Sequence, residues 1–168
     1  MPWETICMVG YLAVATVPLV LTDARSHRLP NVWVIPGILI AITAVTINGI
    51  TRQQWPWPAI ICGVGYALLC LLLHVSGGMG MGDVKLALAL GLAAGMLGWQ
   101  AGLTAVILAF LSGGALSLAV LAAQHFHRVR QAAYQASNAP GFASMSRRIA
   151  FGPFMLLGFW CAVFAALV

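Results

Sequence analysis

Long apolar runs separated by short polar connections dominate the pattern of residues along this chain. An α-helix rises about 1.5 Å per residue, so most of the runs can cross about 30 Å of hydrocarbon. The fourth run is short for a span, and it is separated from the fifth only by the stretch 98–101, whose first residue is also the approximate end of the fourth run. The pattern predicts an all-α, polytopic membrane bundle of six transmembrane helices, which forms a single domain over residues 1–168. The predicted helices cover residues 4–22, 32–50, 59–75, 84–98, 102–123 and 150–168.

The composition supports a membrane protein without cofactors. Sixty-two per cent of the residues are hydrophobic and 7% are charged, whereas a soluble domain has about 25% charged residues. The net charge of +5 arises mainly because acids are few, so we do not expect a nucleic-acid partner. The expected partner is instead the lipid bilayer. No CxxC pair occurs, and His125 and His127 have no third ligand nearby, so we expect no metal site and no cofactor.

The basic residues predict the orientation of the chain. Cytoplasmic loops of membrane proteins carry an excess of Lys and Arg. With six crossings, seven of the eight basic residues fall on one side, which is therefore the cytoplasmic side, and both termini lie outside. The long polar connection at 124–149 is either an interfacial helix on the anionic leaflet or a solvated linker. The seven residues are Arg25, Arg28, Lys85, Arg128, Arg130, Arg147 and Arg148, and the eighth is Arg52.

A glycine-rich stretch with an aspartate lies at residues 77–91, GGMGMGDVKLALALG. Asp83 opens the fourth helix, where free backbone amides and the helix dipole favour a negative charge. Gly80 and Gly82 allow positive φ and close approach of another chain. One interpretation is a turn between two helices with Asp83 as its cap, and the other is a catalytic carboxylate. Lys85, on a different helix face, is expected to extend towards the lipid headgroups.

Asp23 is the only other aspartate of the chain, at the predicted cytoplasmic end of the first helix. The chain crosses the membrane twice between Asp23 and Asp83, so both carboxylates are expected at a similar depth on the same side. Two carboxylates within a few ångströms cannot both ionise easily and hold a single proton between them. Such a pair suits aspartic proteolysis, with Asp83 favoured as the ionised partner by its helix terminus. Alternatively, Asp23 pairs with Arg25 or Arg28 at the membrane surface.

Three segments resemble the type IV prepilin peptidases, and they occur along the chain in the same order as in that family. Residues 77–91 resemble the family's GxGD motif, including the DVKL that follows. Residues 23–31, DARSHRLPN, resemble the segment of its first aspartate, and here Asn31 is also placed to cap the second helix. Residues 151–154, FGPF, resemble the glycine-proline element of its last helix. Besides the two aspartates, the residues expected to shape the site are Gly80, Gly82, Lys85, Pro30, Asn31, Gly152 and Pro153.

The resemblance implies an aspartic endopeptidase of the bacterial inner membrane, with Asp23 and Asp83 as its catalytic pair. Its substrates would be prepilins and pseudopilins, cleaved after a glycine at the cytoplasmic edge of their hydrophobic segment. Longer members carry an additional N-terminal segment with paired CxxC motifs and also methylate the new amino terminus. This chain has no such cysteines, so it resembles the short class that serves Flp-type (tight-adherence) pili. N-methyltransferase activity is therefore not expected.

Two other functions remain open from the residues alone. Presenilin-type GxGD proteases pair a YD with GxGD and add a PAL element, whereas this chain has Thr22-Asp23 and no PAL. A small proton- or cation-coupled transporter or assembly subunit could use the two acids as an ion site. For the transporter, Asp→Asn changes would abolish flux and leave no peptide unprocessed.

Overall fold

The computed structural model describes residues 2–26, 29–76, 79–135 and 151–167, and over these ranges the chain is all-α. Six helices follow one another, as the hydrophobic pattern predicts. The described helices are α1 (Trp3–Ser26), α2 (Asn31–Arg52), α3 (Trp57–Val75), α4 (Met81–Met96), α5 (Trp99–Gln135) and α6 (Gly152–Leu167).

Four of these helices are long and apolar enough to cross a membrane. They are α1, α2, α3 and the first 18 residues of α5, Trp99–Leu116. α4 and α6 have 16 residues each, which corresponds to about 24 Å and is short of a full span. Several membrane-spanning helices are thus present, while six crossings and the sidedness of the termini remain predictions.

α4 lies at the centre of the bundle and contacts each of the other five helices. Its residues from Leu86 to Gly95 are almost continuously buried, and alanine and glycine make up much of that stretch. A helix that is apolar on all sides belongs in the interior. The outer helices expose many large apolar side chains, as expected for a surface that faces lipid.

α3 and α4 pack with their backbones almost in contact. A Cβ atom built on Gly95 would lie 2.5 Å from the Ala59 Cα, and one on Gly91 would lie 2.8 Å from the Gly63 Cα. Small residues at such positions are the usual means by which membrane helices associate, because lipid provides no hydrophobic drive between them. This contact fixes α4, and with it Asp83, against α3.

The Gly95→Ala variant should therefore unfold at a lower temperature than the wild type. Its new methyl group meets backbone atoms of α3, and overpacking of this kind costs about 1–3 kcal/mol. Gly65→Ala is the matched control, because a Cβ there has no neighbour within 4 Å. Thermal unfolding of the purified proteins in detergent measures both changes. Equal melting temperatures for the two variants would contradict the proposed tight contact.

The boundary between α4 and α5, and the end of α5, differ from the predicted ones. α4 ends at Met96, and Gly98 takes a φ of +124°, a conformation that favours glycine. α5 continues to Gln135, so the predicted end of the fifth helix at residue 123 was wrong, and residues 124–135 of the polar connection are helical. That stretch contains no Gly or Pro to end the helix. The rest of the predicted connection, 136–149, lies outside the described residues.

Candidate active site

Asp23 lies in the last turns of α1 and is 4% exposed. Its Oδ2 atom accepts a hydrogen bond of 3.0 Å from the backbone N–H of Gly152, 129 positions later. Gly152 is the first residue of α6, where the backbone N–H groups have no partner within the helix. Pro153 follows, and a proline is tolerated in the first turn because its missing N–H would be free there. The N-terminus of α6 is thus directed at the Asp23 carboxylate.

Asp83 is the third residue of α4 and is 8% exposed. Its Oδ2 accepts a hydrogen bond of 3.2 Å from the backbone N–H of Gly80, the N-cap residue. Asp83 therefore does cap its own helix, as one of the two interpretations of the sequence predicts. The same contact orients the carboxylate, so it is compatible with the catalytic interpretation as well.

Asp23 and Asp83 converge at one end of the bundle. Their carboxyl groups are close enough for the charge of Asp23 to act on Asp83. Leu29 lies between the first residues of α4, which carries Asp83, and the first residues of α6, which bonds to Asp23. A Cβ built on Gly82 would be 2.9 Å from the Leu29 Cβ, and one on Gly152 would be 3.6 Å from its Cδ2. We call Asp23, Asp83, Gly80, Gly152 and Leu29 the aspartate cluster.

Asn31 and Lys85 form a contact beside this cluster that differs from the prediction. Pro30 is the N-cap residue of α2, and no side chain caps that helix. Asn31 is the first helical residue, so its predicted capping was wrong. Its Oδ1 instead accepts a hydrogen bond of 3.2 Å from the Lys85 Nζ. The ammonium, expected to extend to the headgroups, thereby links α4 to α2.

Three further residues of the site are not among those expected from the sequence. Leu29 lies within the segment 23–31, but its apolar side chain alone gives no sign that it contacts two of the predicted site glycines. Tyr66 and Cys70 of α3 are buried within electrostatic reach of Asp83. Over the described residues, no group of three His, Cys, Asp or Glu side chains could hold a metal ion.

The fold and the site define a class of protein. Several helices can span a membrane, and the only two aspartates of the chain are buried within electrostatic reach of each other, where four segments of the bundle come together. This is a multi-pass helical membrane protein with a buried pair of carboxylates.

The chain belongs to the type IV leader peptidase family. The sequence profile of that family matches residues 10–118, which confirms the resemblance seen in the motifs. The matched range contains Asp23, Asp83 and the glycines before Asp83, while Gly152 and Pro153 lie beyond it. No curated protein and no solved structure matches the chain.

Proposed function

We propose that this protein is a membrane aspartic endopeptidase in which Asp23 and Asp83 form the catalytic pair. One observation carries the proposal: the two carboxylates, sixty positions apart in the sequence, are buried together and each accepts a backbone N–H bond from a glycine. Membership of a leader peptidase family supports the same chemistry. A peptidase of this kind needs no metal and no covalent nucleophile.

The mechanism follows from two carboxyl groups that share one proton. The ionised carboxylate takes a proton from a water molecule, whose oxygen attacks the scissile carbonyl carbon. The protonated partner polarises the carbonyl oxygen. The C–N bond then breaks, and a proton passes to the leaving amine. Asp23 faces the N-terminus of α6, and Asp83 lies at the N-terminus of α4. Because a helix dipole favours the ionised form of both aspartates, it does not by itself select Asp83 as the ionised member of the pair.

The proposed substrates are Flp-type prepilins and pseudopilins, whose short basic leader is removed at the cytoplasmic face of the inner membrane. The arginines and Lys85 assigned to one side of the membrane support a cytoplasmic site. We also propose peptidase activity without N-methylation, as the resemblance to the short class implies. The hydrophobic segment of such a substrate would remain in the bilayer while its leader reaches the aspartate cluster.

Co-expression with candidate Flp-type prepilins tests this function. The leader should be lost, as a gel shift, and N-terminal sequencing should place the cut directly after the substrate's glycine, with a free amino terminus. A substrate in which that glycine is replaced by a bulky residue serves as the control and should stay uncut. Intact prepilin in the presence of the folded protein would contradict the proposal, and a methylated new terminus would contradict its short-class assignment.

A further inference from the structure

A pocket opens on the surface of the bundle, far from the aspartate cluster. It lies between the first turns of α1 and residues 39–47 of α2, and its volume is about 230 Å³. Trp3, Glu4, Ala44 and Ile47 are among its lining residues. Glu4 and Asp23 are both on α1, 19 residues apart, which corresponds to about 28 Å along the helix. The pocket is therefore near the opposite end of α1 from the proposed active site.

Glu4 is the one acid of the chain that the proposed mechanism does not use. Its side chain is 4% exposed, and its Oε2 atom is buried without a hydrogen-bond partner. A buried, unpaired carboxylate oxygen is costly, so a donor from outside would stabilise it. Among the basic side chains that the structure describes, Lys85 bonds to Asn31 near the aspartate cluster, and Arg52 is exposed at the end of α2.

The surroundings of the pocket indicate which molecule could bring that donor. Trp3 and Leu39, which also line it, are 61% and 59% exposed, so apolar side chains surround its opening. Exposed tryptophans at the ends of membrane helices are typical of the headgroup level. Three more, Trp55, Trp57 and Trp99, lie at or beside helix ends on the same side of the bundle by chain connectivity. The pocket thus opens where phospholipids meet the protein.

We propose that this pocket binds a phospholipid with a primary ammonium headgroup, such as phosphatidylethanolamine. The Glu4 carboxylate would accept a charge-assisted hydrogen bond from the ammonium, and the apolar wall of α2 would contact an acyl chain. Phosphatidylcholine has no N–H to donate, and phosphatidylglycerol brings no cation. The proposal does not depend on the peptidase function, since its site and its readout are separate from the aspartate cluster.

Native mass spectrometry of the purified protein in detergent tests the proposal. Phosphatidylethanolamine, phosphatidylcholine and phosphatidylglycerol are added separately, at equal concentrations and with identical acyl chains. The wild type should retain phosphatidylethanolamine about tenfold better than the other two lipids. Glu4→Gln, which keeps the shape of the side chain, should remove that preference. Asp83→Asn is the matched control, because it also neutralises one acid but lies at the other end, and it should keep the preference.

Ala44→Phe provides a second variant that leaves the carboxylate in place. Ala44 is 5% exposed and lines the pocket, so a phenyl ring should fill the space and reduce phosphatidylethanolamine binding. Thermal unfolding identifies any variant that fails to fold. A preference unchanged in both Glu4→Gln and Ala44→Phe would overturn the proposal. Equal binding of all three lipids by the wild type would also overturn the proposal. So would a dimer in which a second copy of the chain covers the pocket and no lipid is retained.

Discussion

Asp23→Asn and Asp83→Asn should each reduce prepilin cleavage by about a thousandfold or more. An asparagine amide can neither take a proton from water nor donate one to a carbonyl as an acid does, and positioned acid–base groups contribute about 10²–10⁴-fold to a rate. The substituted side chain still offers an oxygen to the N–H of Gly152 or Gly80, so the local fold should persist. Quantified gel shifts of a co-expressed prepilin measure the rates, with equal membrane levels of each variant verified by immunoblot.

The double variant separates a working pair from two independent residues. If Asp23 and Asp83 act as one unit, removing both should cost little more than removing either, because groups that act together are non-additive. If the two residues contributed independently, the rate losses of the two single variants would instead multiply in the double variant. Insertion into the membrane should not suffer, since a neutral amide enters more readily than a carboxylate. Wild-type cleavage by either single variant would contradict the proposed mechanism.

The helices were predictable because their apolar runs are long and continuous. α1, α2 and α3 begin and end within four residues of the predicted positions. The one large error concerns α5, where polar residues follow the apolar run without interrupting the helix as far as Gln135. Hydropathy reports where a chain can leave lipid, whereas a helix ends only where the backbone is broken or capped.

The candidate site was predictable only in part, and the limit is physical. The position of Asp83 at the start of a helix follows from the local glycine pattern, and so does its cap. The bond between Asp23 and the Gly152 N–H joins residues 129 positions apart, and nothing local specifies it. Leu29 lies in the segment 23–31, yet its role could not be predicted, because it comes from packing between two glycines of other elements. Contacts between elements depend on how helices dock, which periodicity does not encode.

Gly152→Ala should reduce cleavage by about a hundredfold while leaving the bundle folded. A Cβ at this position would lie 2.6 Å from the Asp23 Oδ2, so the carboxylate must move away from the start of α6. A displacement of about 1 Å in a catalytic group can cost about 10²-fold in rate. Gly10→Ala is the matched control, since a Cβ there has no neighbour within 4 Å, and it should cleave like the wild type.

Two readouts distinguish the positioning of Asp23 from a general loss of structure. With a purified substrate, Gly152→Ala should lower kcat and leave KM nearly unchanged, because the substrate's hydrophobic segment still binds. In an Asp23→Asn background the same change should cost almost nothing more, since its effect passes through Asp23. A full additional hundredfold loss in that background would show that Gly152 acts elsewhere. The hydrogen bond from α6 would then be structural, and the orientation of Asp23 would have to come from other contacts.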